Sequence, residues 1–204
     1  MVGYSHPYIP GDLDEFLSMT GWPPPLDDIV RARMARALGY FQDRVQPKSE
    51  LGEPCSFVER FGPTALNLKI NGRITRLCAW MQSIDFRYHV NPDFQVPNGY
   101  HLKAFRVPPE PGKRTYRSRA EKKNGRHLGE YYTFESARVD GLGLPSDQSF
   151  PRIFRATTAF TCLRTTVADA YISWRAEGGY SSGGGNQLII LNAEEVLEEL
   201  STGK

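Results

Sequence analysis

The most concentrated charge in this sequence is a basic segment between residues 113 and 126. Clustered guanidinium and ammonium groups attract phosphates and release counterions, so the segment predicts contact with nucleic acid or another phosphate ligand. Tyr116 offers one stacking face, fewer than single-strand binders usually interleave. A solvated loop, a localisation signal or a site for an acidic protein surface fits the same pattern. Against one acidic residue, Glu121, the segment holds Lys113, Arg114, Arg117, Arg119, Lys122, Lys123 and Arg126.

Acidic residues concentrate near the C-terminus, at Glu194, Glu195, Glu198 and Glu199. Asn192 with Glu195 is typical of a helix N-terminus, and carboxylates in a first turn interact favourably with the helix dipole. The pattern therefore predicts a short helix from Asn192 to about residue 200. We expect Glu198 and Glu199 on its solvent face rather than in a functional carboxylate pair.

Several catalytic and metal-binding templates are absent from the sequence. It contains no GxSxG elbow, and Gly183-Gly184-Gly185 lacks the Lys-Ser/Thr of a phosphate loop and precedes a predicted strand. Its three cysteines are widely spaced, and its four histidines form no pair at helical spacing, so we predict no metal site. Cys162 lies in a β-rich run and is expected to be a buried apolar residue.

The N-terminal part has the signals of two helices. Asp12 with Glu15 is a capping-box variant, and Gly21 is a stop signal. After Pro23-Pro24-Pro25, Asp27 starts a longer helix that ends before Pro47. Its apolar residues recur at three- and four-residue steps, which predicts one buried face: Val30, Met34, Ala37, Leu38, Phe41 and Val45.

From about residue 55 the pattern favours strands, beginning with a hairpin around Asn71-Gly72, whose two residues suit a type I′ turn. We read 108–129 as an exposed loop, 139–149 as a second loop, and Thr166 with Asp169 as the start of a helix through about residue 177. The predicted strands are 65–70, 73–81, 86–90, 100–107, 130–134, 153–163 and 187–192.

The elements together predict an α+β fold with N-terminal helices packed on a mostly antiparallel sheet. With 204 residues and 40% hydrophobic content, we expect a single domain over 1–204, with a helical subregion at 1–50 and a β-rich body at 55–204. The sequence has no apolar stretch long enough to span a membrane and no signal-peptide pattern. We therefore expect a soluble protein that is cytoplasmic, or exported by a route without a cleavable signal.

One constellation in the second half has a family resemblance. The segment from Phe160 to Thr166, the run from Val167 to Trp174, the Gly-rich loop and the strand 187–192 follow one another. Together they resemble mono-ADP-ribosyltransferase-like domains, a family with many toxins and effectors. Over residues 100–200, the resemblance implies an ADP-ribosyltransferase-like fold with NAD as co-substrate. It implies an enzyme that transfers ADP-ribose or hydrolyses NAD.

The resemblance also implies roles for particular residues. Arg106, which follows Phe105, would grip the NAD pyrophosphate, because a guanidinium offers forked donors to phosphate. Thr165 or Thr166 would organise the site by hydrogen bonding, and Tyr131 or Tyr132 would stack on the nicotinamide ring. Each has a structural alternative: a solvent-facing arginine, a helix-capping threonine, and tyrosines at the core and rim of a sheet.

The sequence departs from the family pattern at the catalytic glutamate. The family places this residue on a later strand, where it stabilises positive charge on the ribose as nicotinamide leaves. The candidates here are Glu135, which precedes the Thr-Thr strand, and Glu194-Glu195 in the predicted last helix. Alternatively, the domain keeps the shape without the activity, as a non-catalytic interaction protein. The segment Ile153–Thr157 fits the aromatic-Arg pattern even better than Arg106, but it lies close in sequence to Thr165.

Overall fold

A computed structural model of the protein describes residues 10–45, 77–78, 80–106, 130–137, 140–142, 150–171, 180–181 and 183–200. The chain divides into two compact units, Met1–Arg87 and Tyr88–Lys204. The single domain over 1–204 stays a prediction. Residues 65–70, the Asn71-Gly72 turn, the 108–129 loop, most of the 139–149 loop and Pro47 lie outside the described residues.

The first helix, α1, spans Leu13–Thr20 and is capped at both ends as the sequence predicts. At its N-terminus the Asp12 carboxylate accepts a hydrogen bond from the Glu15 amide at 2.8 Å. The Glu15 carboxylate in turn accepts one from the Gly11 amide at 2.8 Å. At the C-terminus Gly21 adopts a left-handed φ of 68° and its amide donates to the Leu17 carbonyl.

Replacing Asp12 with alanine should destabilise the protein by about 1 kcal/mol, because the helix loses the acceptor for its Glu15 amide. Urea unfolding followed by circular dichroism would measure the change. Asp43→Ala is the matched control, since Asp43 is exposed in the last turn of a helix and caps no N-terminus. Equal stability of the wild type and Asp12→Ala would contradict the capping role.

The second helix, α2, spans Asp28–Val45, and the Asp27 carboxylate accepts hydrogen bonds from the Ile29 and Val30 amides. The predicted apolar face is confirmed, because Met34, Ala37, Leu38 and Phe41 are buried. Arg31 lies off that face and pairs with Asp14 of α1 at 2.6 Å. The helix therefore buries one stripe and joins α1 through its polar side.

The strand predicted over 73–81 is wrong for the part that the structure describes. Residues 77, 78 and 80–82 are helical. The side chains of Leu77, Cys78, Trp80 and Met81 are buried, and the Trp80 ring stacks on Phe41 with centroids 4.7 Å apart. Apolar residues at steps of one, three and four suit a helix packed on a neighbour, and this tertiary contact overrides the strand signal at the described residues 77–78 and 80–81.

The strand predicted over 86–90 is also wrong, because residues 86–88 form a turn and bend and the strand begins at Asn91. The Asp85 carboxylate explains the turn. It accepts hydrogen bonds from the Arg87 amide at 3.0 Å and from the Arg87 guanidinium at 2.6 Å. This guanidinium holds the pKa of Asp85 below its ordinary value. The local side-chain bonds thus favour a turn over an extended backbone.

The second unit is built on a seven-stranded sheet whose described pairings are all antiparallel. Together with the helices, this sheet confirms the α+β class. Its order is β1-β5-β8-β3-β2-β4-β9, and a separate pair joins β6 to β7. The strands are β1 Asn91–Val96, β2 His101–Arg106, β3 Tyr131–Phe134, β4 Phe150–Ala156, β5 Phe160–Thr166, β6 Ala170–Tyr171, β7 Tyr180–Ser181, β8 Asn186–Ile189 and β9 Leu197–Leu200.

Strands predicted over 100–107, 130–134 and 187–192 are confirmed as β2, β3 and β8, although β8 ends at Ile189 and residues 190–192 follow the strand. The β-rich run 153–163 is divided into β4 and β5 by residues 157–159, which belong to neither strand. The run 91–99, which separates the predicted strands 86–90 and 100–107, contains β1. Proline has no amide hydrogen to donate to a neighbouring strand, so it is tolerated in an edge strand. Pro92 fits this rule because β1 lies at the edge of the sheet.

Two helices predicted in the second unit differ from the structure. Thr166 ends β5 instead of capping a helix, and Ala170–Tyr171 is a strand; residues 172–179 lie outside the described part. The last helix, α3, is only Ala193–Val196. The following β9 pairs with β4, and Glu198 and Glu199 meet arginines across the strands. Arg155 bonds Glu198 at 2.5 Å, and Arg152 forms a two-point pair with Glu199.

The hydrophobic core of the second unit covers one face of the sheet. It is formed by side chains from seven strands and α3, and Cys162 is fully buried within it, as predicted. The other face is buried as well where β5 and β8 pair, at Leu163 and Ile189. Strands β5 and β8 are therefore buried on both faces where they pair. The core residues on strands include Val96, Leu102, Tyr132, Phe154, Cys162 and Leu188.

Candidate functional site

Several predicted site residues lie at one end of the sheet because of its strand order. At this end β5 finishes, β8 begins, β3 finishes and β2 begins. Thr166 pairs with Asn186, and the Thr133 hydroxyl donates to the Asn186 carbonyl at 2.7 Å. Phe134 pairs with Leu102 on the next strand. The register thus brings the ends of four strands together, and we call this set of strand ends the β5–β2 edge.

One arginine, Arg164, lies at the β5–β2 edge in contact with Phe94, Phe134 and Asn186, and we call these four residues the arginine cluster. The Arg164 guanidinium carbon is 5.2 Å from the ring centroid of Phe94 and 5.3 Å from that of Phe134. The two rings meet edge to face at 5.9 Å. The Asn186 amide oxygen accepts hydrogen bonds from Nη2 of Arg164 at 3.1 Å and from Nε at 3.3 Å. These contacts from three other strands restrict the orientation of one cation.

An open hollow of about 550 Å³ adjoins this cluster, with Phe134 belonging to both. It contains the imidazole of His101 and the carboxylate of Glu135, and His101 Nδ1 lies 3.6 Å from a Glu135 carboxylate oxygen. That separation is longer than a hydrogen bond. The Glu135 side chain is 57% exposed, so its carboxylate is accessible from solvent. The hollow is lined by Gly99, Tyr100, His101, Phe134, Glu135 and Ser136.

The two predicted threonines point to opposite faces of β5, as neighbours in a strand do. Thr165 is 1% exposed, and its hydroxyl oxygen is buried without a hydrogen-bond partner among the described residues. It lies on the face of Leu163, opposite Gln187, which is buried too. Thr166 is half-buried on the face that carries Arg164. Of the two hydroxyls, that of Thr166 is therefore on the side of the arginine cluster.

Replacing Thr165 with valine should stabilise the protein by about 1 kcal/mol, because the isosteric change removes a buried, unsatisfied hydroxyl. Thr166→Val is the matched control and should change stability less, since the Thr166 side chain is only half-buried. Urea unfolding of the three proteins measures both effects. A less stable Thr165→Val protein would show that the hydroxyl is satisfied in solution.

Arg106 ends β2, where its backbone pairs with Phe150 of β4. His101 begins the same strand at the β5–β2 edge, so the two positions are about 17 Å apart along the strand. The structure therefore does not place Arg106 with Thr165, Thr166 and Glu135 at this edge. The Arg106 side chain lies outside the description. Arg155, from the alternative aromatic-Arg segment, pairs with His101 across β2 and β4.

The two tyrosines of β3 have different surroundings. Tyr132 is 2% exposed, contacts Phe154 edge to face at 5.2 Å, and belongs to the core. Burial raises the pKa of its phenol well above the ordinary value. Tyr131 is 41% exposed. Because a ring in the core has no free face for a ligand, stacking on nicotinamide stays a prediction for Tyr131 and is set aside for Tyr132.

The remaining candidate carboxylates lie on α3 and β9. Glu195 is exposed in the first turn of α3, where the Asn192 amide donates to its carboxylate at 3.3 Å. Glu198 and Glu199 join β9 to β4 instead of forming the solvent face of a helix. Glu135 is thus the predicted carboxylate that lines the hollow.

The basic segment at 113–126 lies outside the described residues, so its predicted contact with phosphate, nucleic acid or an acidic protein stays a prediction. Within the described ranges, His, Cys, Asp and Glu side chains form no cluster of three or more suited to a metal ion. The helices that the structure describes include none with the length and apolar character needed to cross a bilayer.

Sequence reasoning missed three residues of this site: Arg164, Asn186 and His101. Arg164 stands inside the Phe160–Thr166 segment that carries the family resemblance, two residues before Thr166. Strand alternation could have placed both on one face. Asn186 and His101 carried no such signal, because their position at the edge depends on pairings between distant strands.

Comparison with known proteins supports the fold. No protein-family model and no curated protein matches the sequence. Five chains of solved structures do match, and one belongs to the structure of Tse6 in complex with Tsi6. It has a TM-score of 0.51 at 16% sequence identity, covering 85% of this chain and 98% of that chain. At this identity the likeness shows the fold alone: this chain has a fold similar to that of a chain in the Tse6–Tsi6 complex.

Proposed function

We propose that this protein is an ADP-ribosyltransferase-like effector or toxin that binds NAD and transfers ADP-ribose or hydrolyses NAD. The observation that carries the proposal is the gathering of Thr166, Arg164 and Glu135 at the β5–β2 edge, beside an open hollow. The family resemblance, which rests on residues in the sequence, names two of them, Thr166 and Glu135. The similarity in fold to a chain of the Tse6–Tsi6 complex supports the same proposal, as a likeness of backbone structure and not of sequence.

In this proposal Glu135 faces the reacting ribose. As the N-glycosidic bond breaks, its electron pair leaves with nicotinamide and positive charge develops on the ribose. An accessible carboxylate stabilises that charge, and such electrostatic stabilisation is often the largest contribution to a rate. Water or a nucleophile of a target then attacks the anomeric carbon and loses a proton. His101, 3.6 Å from Glu135, is placed to accept that proton.

Release of nicotinamide from NAD by the purified protein tests the proposal. We expect release by the wild type and a large loss in a Glu135→Gln variant. Arg106→Ala and Arg164→Ala, assayed side by side, determine which arginine serves the NAD pyrophosphate. A folded wild-type protein that releases no nicotinamide at millimolar NAD, alone or with candidate target proteins, would remove the proposal.

A protein partner is proposed as well, because the compared chain belongs to the structure of a two-protein complex, Tse6 with Tsi6. Nucleic-acid binding by residues 113–126 remains the alternative. Its affinity should fall steeply with salt and collapse when Arg114, Arg117, Lys122 and Lys123 are neutralised. A binding signal that is insensitive to salt would exclude this alternative.

A further inference from the structure

We propose that Arg164, Thr166 and Asn186 form a binding site for a phosphate group at the β5–β2 edge. The inference rests on the proposed function only in naming the NAD pyrophosphate as the source of that phosphate. It assigns the anion contact to a residue of β5 instead of Arg106 at the far end of β2.

The first support is that Arg164 has no counter-charge within the described part of the protein. The two other arginines of the second unit whose side chains the structure describes are paired, Arg152 with Glu199 and Arg155 with Glu198. Arg164 contacts an amide oxygen and two phenyl rings. A half-buried guanidinium without a carboxylate keeps its full charge for an external anion.

The second support is that its donors are oriented and remain available. Asn186 takes one N–H from Nε and one from Nη2, so three of the five guanidinium N–H groups have no partner among the residues that the structure describes and can serve a ligand. The rings of Phe94 and Phe134 limit the rotation of the guanidinium plane. Donors held in a fork match two phosphate oxygens at once, and holding them in advance lowers the entropy lost on binding.

The third support is the position of a second donor. Thr166 lies on the same face two residues along β5, and it pairs with Asn186, the residue that orients Arg164. Its hydroxyl makes no hydrogen bond to another described residue. Phe134 then connects the cluster to the hollow that holds Glu135. A ligand with phosphate on Arg164 would reach the hollow with its remaining part, as a nucleotide does.

Calorimetric titration of the full chain with ADP-ribose and with inorganic pyrophosphate tests the site. We expect both to bind the wild type, more weakly as salt rises. Arg164→Gln should weaken binding at least tenfold, and Arg164→Lys should give an intermediate loss, because it keeps the charge without the fork. Arg152→Gln is the matched control: it removes one guanidinium from the same sheet and should stay within about twofold of the wild type.

Two results would overturn the site: no binding of either probe to the folded wild type, or unchanged binding in both Arg164 variants. Thermal unfolding of each variant confirms that it is folded, and Arg164→Lys serves if Arg164→Gln is not. If ADP-ribose binding depends on Arg164 but no nicotinamide is released, the phosphate site stands and the proposed enzyme activity fails. If nicotinamide is released with an unchanged kcat/KM in both Arg164 variants and their binding of the probes is unchanged too, the enzyme activity stands and the phosphate site fails.

Discussion

Replacing Glu135 with glutamine should reduce nicotinamide release from NAD by about 100-fold or more and leave the protein folded. Glutamine keeps the size of the side chain but removes the negative charge that faces the developing ribose cation. Loss of one electrostatic contact to a transition state typically costs about 100- to 1,000-fold in rate. The Glu135 side chain is 57% exposed, so its replacement removes little packing. The rate constant for product formation at saturating NAD is the quantity to compare.

Glu195→Gln is the matched control for this change. Glu195 is also exposed, but it lies in the first turn of α3 and does not line the hollow. We expect its variant to keep the wild-type rate. Equal rates for wild type and Glu135→Gln would show that the catalytic carboxylate lies elsewhere, and a low rate in both variants would indicate a general charge effect.

Replacing Gly183 with alanine should have the largest effect on stability, a loss of about 2–5 kcal/mol. Gly183 has a φ of 59°, and a left-handed residue with a side chain costs about 1–2 kcal/mol. A Cβ there would also lie 2.5 Å from the Val167 carbonyl oxygen and 2.6 Å from that of Ala168. Forced contact of this kind costs about 1–3 kcal/mol more, because neither backbone oxygen moves freely.

The neighbouring Gly184 separates these two contributions. Its φ is 82°, but a Cβ would meet nothing within 4 Å, so Gly184→Ala should lose only the left-handed penalty of about 1–2 kcal/mol. Urea unfolding of both variants gives the difference. Equal losses would contradict the close approach. Because the Gly184 amide donates to the Val167 carbonyl, we also expect Gly183→Ala to disturb the end of β5 and slow nicotinamide release.

Local signals explain why the N-terminal helices were predictable. The caps of α1 lie within a few residues of each other, at Asp12, Glu15 and Gly21. The buried stripe of α2 follows directly from its sequence period. The α+β class and strands β2, β3 and β8 followed from similar patterns. In each of these cases the stabilising contacts, or the periodicity that produces them, lie close together in the sequence.

The elements whose structure differs from the sequence prediction depend on contacts with residues far away in the sequence. A run with four glutamates looks helical alone, yet Glu198 and Glu199 pair with Arg155 and Arg152 more than forty residues earlier, and β9 forms. Likewise, the helical segment at 77–82 packs Trp80 on Phe41 of α2. Such pairings add energy that no local propensity reports, so the sequence pattern alone favoured the wrong element.

The candidate site was predictable only in part. Thr166 and Glu135 followed from the family resemblance, whereas Arg164 acquires its role from Phe94, Phe134 and Asn186 on three other strands. Arg106 was predicted from a local aromatic-Arg pattern. That pattern does not predict at which end of the sheet this end of β2 lies, because the position depends on how β2 pairs with other strands. The alternative aromatic-Arg segment, in β4, is close to Thr165 in sequence. In the sheet, however, three strands, β8, β3 and β2, lie between β4 and β5, which carries Thr165.

The most direct test of the central claim is the amount of nicotinamide that the purified wild-type protein releases from NAD over time, measured by chromatography beside Glu135→Gln. We predict steady release by the wild type, with ADP-ribose appearing free or attached to a target protein in equal amount. The variant should release about 100-fold less. No release by a folded wild-type protein, or the same release by the variant, would contradict the account.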